Sequence, residues 1–357
     1  MRIAFFGSSL VSAYWNGAAT YYRGMLRALH ERGHTIVFYE PDAWERQKYR
    51  DIPDPRYASS VVYPAAGASQ VLQTVKRAAA NADLLVKASG VGIFDSLLEE
   101  AVLQLRSRQS LVAFWDVDAA ATLERMRGDA NDPLRRLIPS YDVVFTYGGG
   151  APVIEAYREV GAKRCVPVYN ALDASTHFPV AADPRFEAHL SFLGNRLPDR
   201  EKRVFEYFFK AARKHAGLQF LLGGSGWDEI TPAYANVNYL GHVYTSDHNA
   251  LNSTPLAVLN ICRESMARCG FSPPTRVFEA AGAGACLITD AWEGIECFLE
   301  PERECLVARG GDEVSEQLQA LSPERARTLG QAALERVTAE HTYAQRAAVV
   351  EEALSTL

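Results

Sequence analysis

The sequence predicts two doubly wound α/β domains, and three observations predict them. The chain of 357 residues is longer than one hydrophobic core usually organises. Short apolar segments rich in β-branched and aromatic residues alternate with helical segments along both halves. Strands that are apolar on both faces and separated by helices form parallel sheets covered on both sides. We therefore predict one helix-covered parallel sheet in each half.

The elements of the first half follow in order from its opening strand, RIAFFG. A helical segment, NGAATYYRGMLRALHER, and a second strand, HTIVFYE, come next. Three later strands have the same character: DLLVKASG, SLVAFWD and YDVVFTYGGG. They predict a first domain over residues 1–170, whose open sheet would bind ligands at the carboxyl ends of its strands.

A polar segment broken by three prolines, CVPVYNALDASTHFPVAADPRF, separates the two halves. It predicts a linker at residues 171–186. The alternation then restarts with HLSFLG, LQFLLGG, NVNYLG, PLAVLNI and ACLITD, which predict a second domain over residues 187–340. For the alanine-rich and charged segment 341–357 we expect a C-terminal helix, with packing back on the first domain as one option.

Charge and composition exclude several functional classes. Lysine and arginine total 37 against 43 acidic residues, a net charge of −6, so we expect no nucleic-acid partner. No apolar run approaches the roughly 18 residues of a membrane span, so we expect no integral membrane segment. The six cysteines form no CxxC pair, and the start MRIAFFGSS resembles a strand more than a signal peptide. These features favour a cytoplasmic protein with reduced thiols.

The loop after the first strand, GSSLVSAYWNGAATYYRG, is the first candidate ligand contact. Gly17 lets the backbone approach a ligand, and the helix that follows offers N–H groups to an anion or a sugar hydroxyl. An ordinary strand-to-helix turn explains the same residues equally well. The GxGxxG fingerprint is absent, which weakens the case for a dinucleotide-dependent oxidoreductase.

Cations follow the first strand of the second half, in FLGNRLPDREKRV. Positive side chains oppose the dipole at a helix N-terminus, unless an anion binds there. We therefore predict Arg196 as the leading phosphate ligand, with Arg200 or Arg203 assisting. A solvated charged face remains the simpler explanation for Lys202 and Glu201.

Glycines end the next strand, in FLLGGSGW. Gly223, Gly224 and Gly226 permit close backbone approach, and we take Gly224 as a candidate contact for a nucleotide base. A simple turn is equally compatible with them.

The stretch FSPPTRVFEAAGAGACLITD places opposite charges at the head of a small, apolar segment. Ser272 before Pro273 predicts a helix N-cap, with the helix extending to about Ala283. Arg276 and Glu279 would share one face, so that phosphates bind Arg276 and the helix N-terminus while Glu279 accepts hydrogen bonds from a ribose diol. The alternative is an intrahelical ion pair contributing only about 0.2–0.5 kcal/mol.

Titratable residues elsewhere are weaker candidates for metal binding or catalysis. Asp116 and Asp118 form a DxD at a strand end, but two carboxylates make a weak metal site. We therefore predict no metal and favour structural or acceptor-facing carboxylates, with Asp116 as a possible general base. His248 in SDHNA is a second catalytic candidate. His34 lies at the wrong end of its strand and is expected to be structural. No recognisable Ser/His/Asp or Cys/His spacing indicates a hydrolase.

Several blocks of the sequence resemble one family. The blocks are NGAATYYRGMLRALHERGH, YNALDASTHFP, FLGNRLPDRE, NVNYLGHV and FSPPTRVFEAAGAGACLITDAWEGIECFLEP. They are similar to GT-B-fold glycosyltransferases, and among them to the group related to the spore maturation protein CgeB. The resemblance implies two Rossmann-like domains facing a central cleft, with a nucleoside diphosphate sugar held by the second and an acceptor by the first.

The same resemblance assigns residue roles. It implies Glu279 as the ribose-binding acid, Arg196 with Arg200 or Arg203 as diphosphate ligands, and the helix start at Thr275 and Arg276 as a phosphate contact. GT-B enzymes need no bound metal, because cations and helix dipoles stabilise the leaving diphosphate.

The sequence departs from the family pattern at two positions. An acid eight positions before Glu279 is usual in the larger clan, but this chain has Phe271. Related sequences often carry histidine where this chain has Ala18, and a base lost there would shift its role to Asp116.

We therefore predict a metal-independent glycosyltransferase that moves a hexose from a UDP-, GDP- or TDP-sugar to an acceptor. The acceptor is a saccharide, a small molecule or a protein, and no cofactor is expected. The alternatives are a noncatalytic sugar-nucleotide or glycan-binding protein and a sugar-nucleotide epimerase.

Overall fold

The computed structural model describes residues 1–14 and 16–357 and divides the chain into two compact units. The first unit comprises Met1–Asn170 and Tyr343–Leu357, and the second comprises Ala171–Thr342. The segment predicted as a linker, residues 171–186, is part of the second unit.

The first unit is built on a parallel sheet of seven strands in the order β3-β2-β1-β4-β5-β6-β7. Its strands are β1 (Arg2–Phe6), β2 (Thr35–Pro41), β3 (Ser59–Tyr63), β4 (Leu84–Ala88), β5 (Leu111–Asp116), β6 (Val143–Thr146) and β7 (Cys165–Pro167). Its helices up to this point are α1 (Ala19–Glu31), α2 (Ala68–Ala79), α3 (Asp95–Gln104), α4 (Ala119–Gly128), α5 (Pro133–Leu137) and α6 (Gly150–Glu159).

The second unit is built on a parallel sheet of six strands in the order β10-β9-β8-β11-β12-β13. Its strands are β8 (Leu190–Leu193), β9 (Phe220–Gly223), β10 (Val237–Gly241), β11 (Ala257–Asn260), β12 (Leu287–Asp290) and β13 (Leu306–Ala308). Its helices are α7 (Glu201–Val204), α8 (Lys210–Lys214), α9 (His248–Ser253), α10 (Glu264–Cys269), α11 (Thr275–Gly282), α12 (Gly311–Ala320) and α13 (Pro323–Glu340). A π-helical turn, Phe205–Phe209, joins α7 to α8.

The last helix, α14 (Tyr343–Ser355), belongs to the first unit and packs against α1. A glycine explains how closely the two helices approach. A Cβ atom at Gly24 would lie 2.2 Å from the Tyr343 ring, so only glycine fits at this crossing without a shift.

The two sheets confirm the predicted fold class. In each sheet the first strand of the unit lies at the centre, the next two strands extend to one side, and the remaining strands extend to the other. This is the doubly wound arrangement, and it places a topological switch point between β8 and β11 in the second unit. The strand cores are apolar, with Phe192, Leu222, Leu259 and Ile288 almost fully buried. No helix in residues 1–14 and 16–357 combines the length and apolarity needed to cross a membrane.

Candidate functional site

Helix α11 begins at Thr275, and its start differs from the sequence prediction. Ser272 does not cap it, because the Ser272 hydroxyl donates to the Gly270 carbonyl at 2.8 Å. The N-cap position is Pro274, which has extended backbone dihedrals and no side-chain capping bond. A residue that precedes proline is held out of the helical region, so Pro273 cannot open the helix. The prediction of Ser272 as the N-cap was therefore wrong, and the positive end of α11 is two residues further along.

Arg276 and Glu279 lie on one face of α11, as predicted, with 3.3 Å between Arg276 Nη1 and Glu279 Oε2. Arg276 Nη1 also donates to Asn252 Oδ1 at 3.3 Å. Both side chains are largely buried, with 14% and 10% of their surfaces exposed.

Glu279 is an ionised acceptor in spite of its burial. Burial raises its pKa, but the positive charge of Arg276, together with the Thr275 hydroxyl, contributes to lowering it below its usual value overall. Helix α11 therefore presents a buried carboxylate, a guanidinium and a hydroxyl close together.

Two histidines lie beside Glu279. His177 Nε2 is 3.9 Å from Glu279 Oε1, and the His177 and His248 rings are 6.4 Å apart between centroids. Burial, together with the charge of Arg276, lowers the pKa of His248 to about 4, so its imidazole is neutral at neutral pH. The predicted catalytic candidate His248 is thus brought to the same place as Glu279.

Sequence reasoning missed His177. It lies in the segment before β8, within the motif YNALDASTHFP, and its side chain is only 4% exposed. Its Nδ1 lies 3.0 Å from Thr176 Oγ1, whereas its Nε2 is buried without a hydrogen-bond partner in the described structure. A lone histidine in a linker motif gives no sign of such a neighbour, so only the fold could identify it.

Arg200 occupies the switch point of the second sheet, next to the end of β8. A Cβ atom at Gly194 would lie 2.7 Å from Arg200 Nη2, and this nitrogen donates to the Asn195 carbonyl at 2.6 Å. Arg200 Nε is buried with no hydrogen-bond partner among the described residues. Burial lowers the pKa of Arg200 to about 10, with Arg263 and Arg276 adding repulsion against a partial offset from Asp199. Arg263 Nε donates to Asp199 Oδ2 at 2.6 Å and Arg276 is paired with Glu279, so Arg200 is the arginine of this group that an anionic ligand would stabilise most.

The other two predicted phosphate ligands are engaged elsewhere. Arg196 donates from Nε and Nη2 to Glu201 Oε1, at 3.0 and 2.6 Å. Arg203 donates to the buried carboxylate of Asp290 at 2.6 Å and to Glu264 at 3.2 Å. The geometry therefore favours Arg200 over Arg196, which reverses the order expected from the sequence. The sequence favours a solvated face for Glu201, and local patterns do not show that Glu201 accepts hydrogen bonds from Arg196.

Backbone conformation and close packing explain why residue 224 is a glycine. Its φ is +110°, and a Cβ atom would lie 2.4 Å from the Gly194 carbonyl oxygen. Tyr239 Oη also donates to the Gly224 carbonyl at 2.9 Å. At Gly17, in the first unit, a Cβ atom would meet nothing within 4 Å of the described structure, so no packing contact there requires glycine.

Asp116 is a buried structural acceptor in the first unit. Its Oδ1 accepts hydrogen bonds from Ser89 Oγ (2.7 Å), the Asp118 amide (3.0 Å) and Thr122 Oγ1 (3.0 Å), and its Oδ2 accepts one from Tyr157 Oη (2.5 Å). Burial raises its pKa more than these bonds lower it. Both oxygens are engaged inside the unit, which argues against the predicted role of general base.

Phe271 and Ala18 are the two positions at which the sequence departs from the pattern that it resembles, and the structure shows the local role of each. Phe271 has a left-handed backbone (φ +44°), its amide donates to the Glu293 carbonyl at 2.6 Å, and its ring covers Gly294. A Cβ atom at Gly294 would lie 2.3 Å from that ring. Ala18 occupies the N-cap position of α1, where it supplies no capping side chain.

Comparisons with known proteins match part of the chain by sequence and the whole chain by fold. The family model described as "Glycosyl transferase-like" matches residues 200–352. A search of curated proteins finds no relative by sequence.

Solved structures with similar folds include three glycosyltransferases. Sucrose-phosphate synthase from Thermosynechococcus elongatus is 16% identical with a TM-score of 0.73, over 100% of this chain and 98% of that one. Anabaena HepE in complex with UDP and glucose is 13% identical with a TM-score of 0.69, over 100% of both chains. The T4 phage enzyme BGT in complex with UDP-glucose is 13% identical with a TM-score of 0.61, over 99% of both chains. The fold of this chain is therefore the two-domain, Rossmann-like GT-B fold.

Proposed function

We propose that the protein is a GT-B glycosyltransferase that moves a sugar, a hexose in the first instance, from a nucleoside diphosphate sugar to an acceptor. One observation carries the proposal. The ionised carboxylate of Glu279 lies against Arg276 in α11, in a second unit whose switch point holds Arg200 with its buried Nε lacking a hydrogen-bond partner among the described residues. A carboxylate can accept hydrogen bonds from both hydroxyls of a ribose, and guanidinium groups bind diphosphate oxygens.

The comparisons support this assignment. The family match covers the region that contains Arg200, Arg276 and Glu279. HepE and BGT are described in complexes with UDP, glucose or UDP-glucose, which makes UDP-glucose the first donor to test here. The motif RVFEAAGAG supports the finer proposal of a CgeB-related group.

The chemistry expected of the second unit is stabilisation of the leaving diphosphate. As the bond between the sugar and the diphosphate breaks, negative charge grows on the diphosphate oxygens. Preorganised donors aimed at developing charge are usually the largest catalytic contribution, and Arg200 and Arg276 are such donors. Because the charges of this chain can serve that purpose, we propose that transfer requires no metal ion.

Binding and turnover test the proposal separately. Calorimetry with UDP, GDP and TDP would identify the base, and release of the diphosphate from each matching sugar donor would report turnover with and without acceptors. Parallel reactions with a chelator would test metal independence. Failure of all three nucleotides to bind would contradict the proposal.

A noncatalytic sugar-nucleotide-binding protein is the second candidate. The observation that favours it is the internal engagement of Asp116, which leaves the predicted base without a free oxygen. Such a protein would bind the nucleotide sugar tightly, yet the donor would stay intact through long incubation. Slow hydrolysis of the donor, with no acceptor added, would favour the enzyme.

A further inference from the structure

Three side chains from distant parts of the second unit converge on one point. They are His177 before β8, His248 at the first residue of α9, and Glu279 in the middle of α11. One ligand atom from each lies within 4.8 Å of the other two. Imidazole nitrogen and carboxylate oxygen together are the donors that zinc binds in sites with two histidines and one carboxylate.

The Nε2 atom of His177 is an independent observation that points to a ligand at this position. It is buried without a hydrogen-bond partner, in a side chain that is 96% buried, and it points towards Glu279 Oε1 at 3.9 Å. That distance is too long for a hydrogen bond. Ligands sharing one zinc ion, at bond lengths of about 2.0–2.2 Å, lie about 3.3 Å apart, so a small inward shift would suffice.

The hydrogen-bond partner of the second ring nitrogen of His177 also favours a metal site. His177 Nδ1 lies 3.0 Å from the hydroxyl of Thr176. A hydrogen bond from Nδ1 orients the ring and directs the lone pair of Nε2 outward, as outer-shell partners do at metal sites.

We propose that His177, His248 and Glu279 form a binding site for a divalent transition metal ion, with Zn²⁺ the best match, and that the ion competes with nucleotide for Glu279. The competition rests on the proposed function, whereas metal binding does not. Three protein ligands leave a coordination position open. The ion is an inhibitor in this scheme, which agrees with transfer that needs no metal.

Arg276 limits the affinity of the site. Its guanidinium is 3.3 Å from Glu279 Oε2, so it repels a cation but leaves Oε1, the oxygen nearest to His177, for the ion. We therefore expect Arg276→Gln to tighten metal binding. A purely structural cluster would show no such gain.

The test uses the full chain, stripped with a chelator and titrated with Co²⁺ alone. We expect one ion per chain, with visible absorption bands typical of four- or five-coordinate cobalt that Zn²⁺ removes. His177→Ala and His248→Ala should each weaken binding at least about tenfold. The matched control is His242→Ala, an exposed histidine of the same unit, which should bind as the wild type does. Thermal melts would verify that each variant folds, and the Arg276→Gln variant tests the site without removing a ligand.

The outcomes separate the two proposals. Absence of cobalt bands, or bands that both histidine variants retain, would overturn the metal site whether or not UDP binds. Cobalt binding without any nucleotide binding would support the site and contradict the proposed function. If both bind, Zn²⁺ should raise the apparent Kd for UDP, and independent binding would overturn the competition.

Discussion

The Arg276 guanidinium lies 3.3 Å from the Glu279 carboxylate, one helical turn away, and both side chains are largely buried. On an exposed helix such a pair would contribute only about 0.2–0.5 kcal/mol. Here Arg276 Nε remains buried without a hydrogen-bond partner in the described structure. The two interpretations left open by the sequence, an intrahelical pair and a ligand site, are therefore compatible: under the proposed function, the pair holds both groups in place for the nucleotide.

Replacing Glu279 by glutamine should weaken nucleotide binding through the ribose. Glutamine keeps the shape but loses the charge, and a hydrogen bond to a charged group contributes about 1.5–3 kcal/mol, or roughly 10- to 100-fold in affinity. Calorimetry would compare UDP with 2′,3′-dideoxy-UDP. The wild type should prefer UDP and Glu279→Gln should not. Equal preference in both proteins would remove Glu279 from ribose binding.

Replacing Arg200 by methionine should weaken binding of the diphosphate. Arg200 is half-buried at the switch point beside other arginines, and its buried Nε lacks a hydrogen-bond partner among the described residues. We expect a loss of about tenfold or more for UDP and little change for uridine. Arg196→Met is the matched control, because Arg196 is exposed and already paired with Glu201. A larger loss from Arg196→Met would restore the order expected from the sequence.

The fold and part of the site were accessible from sequence because they depend on local patterns. Alternating strands and helices predicted both parallel sheets, and helical spacing predicted the contact between Arg276 and Glu279. The convergence of His177 on Glu279 was not accessible, because it depends on how the segment before β8 packs against α11. The pairing of Arg196 with Glu201 was not accessible either, because the choice of partner for each arginine is a tertiary property. The sequence left a structural role and a general base both open for Asp116, because it cannot show that four donors, from the segments after β4 and β5 and from α4 and α6, enclose the carboxylate.

Asp116→Asn should leave sugar transfer within a few-fold of the wild type. The asparagine oxygen can accept the bonds made to Oδ1, and its amide can donate to the Tyr157 hydroxyl. Loss of a general base would instead lower turnover by about 10²–10⁴. A fall of that size, in a folded variant, would reinstate Asp116 as the base.

The same variant should change how stability depends on pH. Burial raises the pKa of Asp116 in the folded state above its unfolded value of about 3.9. Folded protein then holds this proton more tightly than unfolded protein, so the free energy of unfolding falls as pH rises from the unfolded to the folded pKa. Asparagine removes this decline. Urea unfolding of both proteins across that pH range would reveal it, and identical profiles would contradict the assignment.

Gly224→Ala should destabilise the second unit, because two independent constraints act at this residue. Its φ of +110° is strained for any residue with a Cβ atom, and that atom would lie 2.4 Å from the Gly194 carbonyl oxygen. The left-handed backbone alone costs about 1–2 kcal/mol, and the backbone contact cannot relax by rotating a side chain. We expect a loss of at least about 2 kcal/mol in the free energy of unfolding, measured by urea denaturation.

Gly17→Ala is the matched control for that loss. A Cβ atom at Gly17 would meet nothing within 4 Å in the described structure, and its φ lies outside the left-handed region, so its stability should stay within about 0.5 kcal/mol of the wild type. The pair also separates packing from ligand binding at the two glycines. If Gly224→Ala were as stable as the wild type but bound UDP poorly, the glycine would be needed for contact with the nucleotide, as the sequence predicts. A stability loss with UDP affinity retained in the folded fraction would establish that the glycine allows the loops after β8 and β9 to approach.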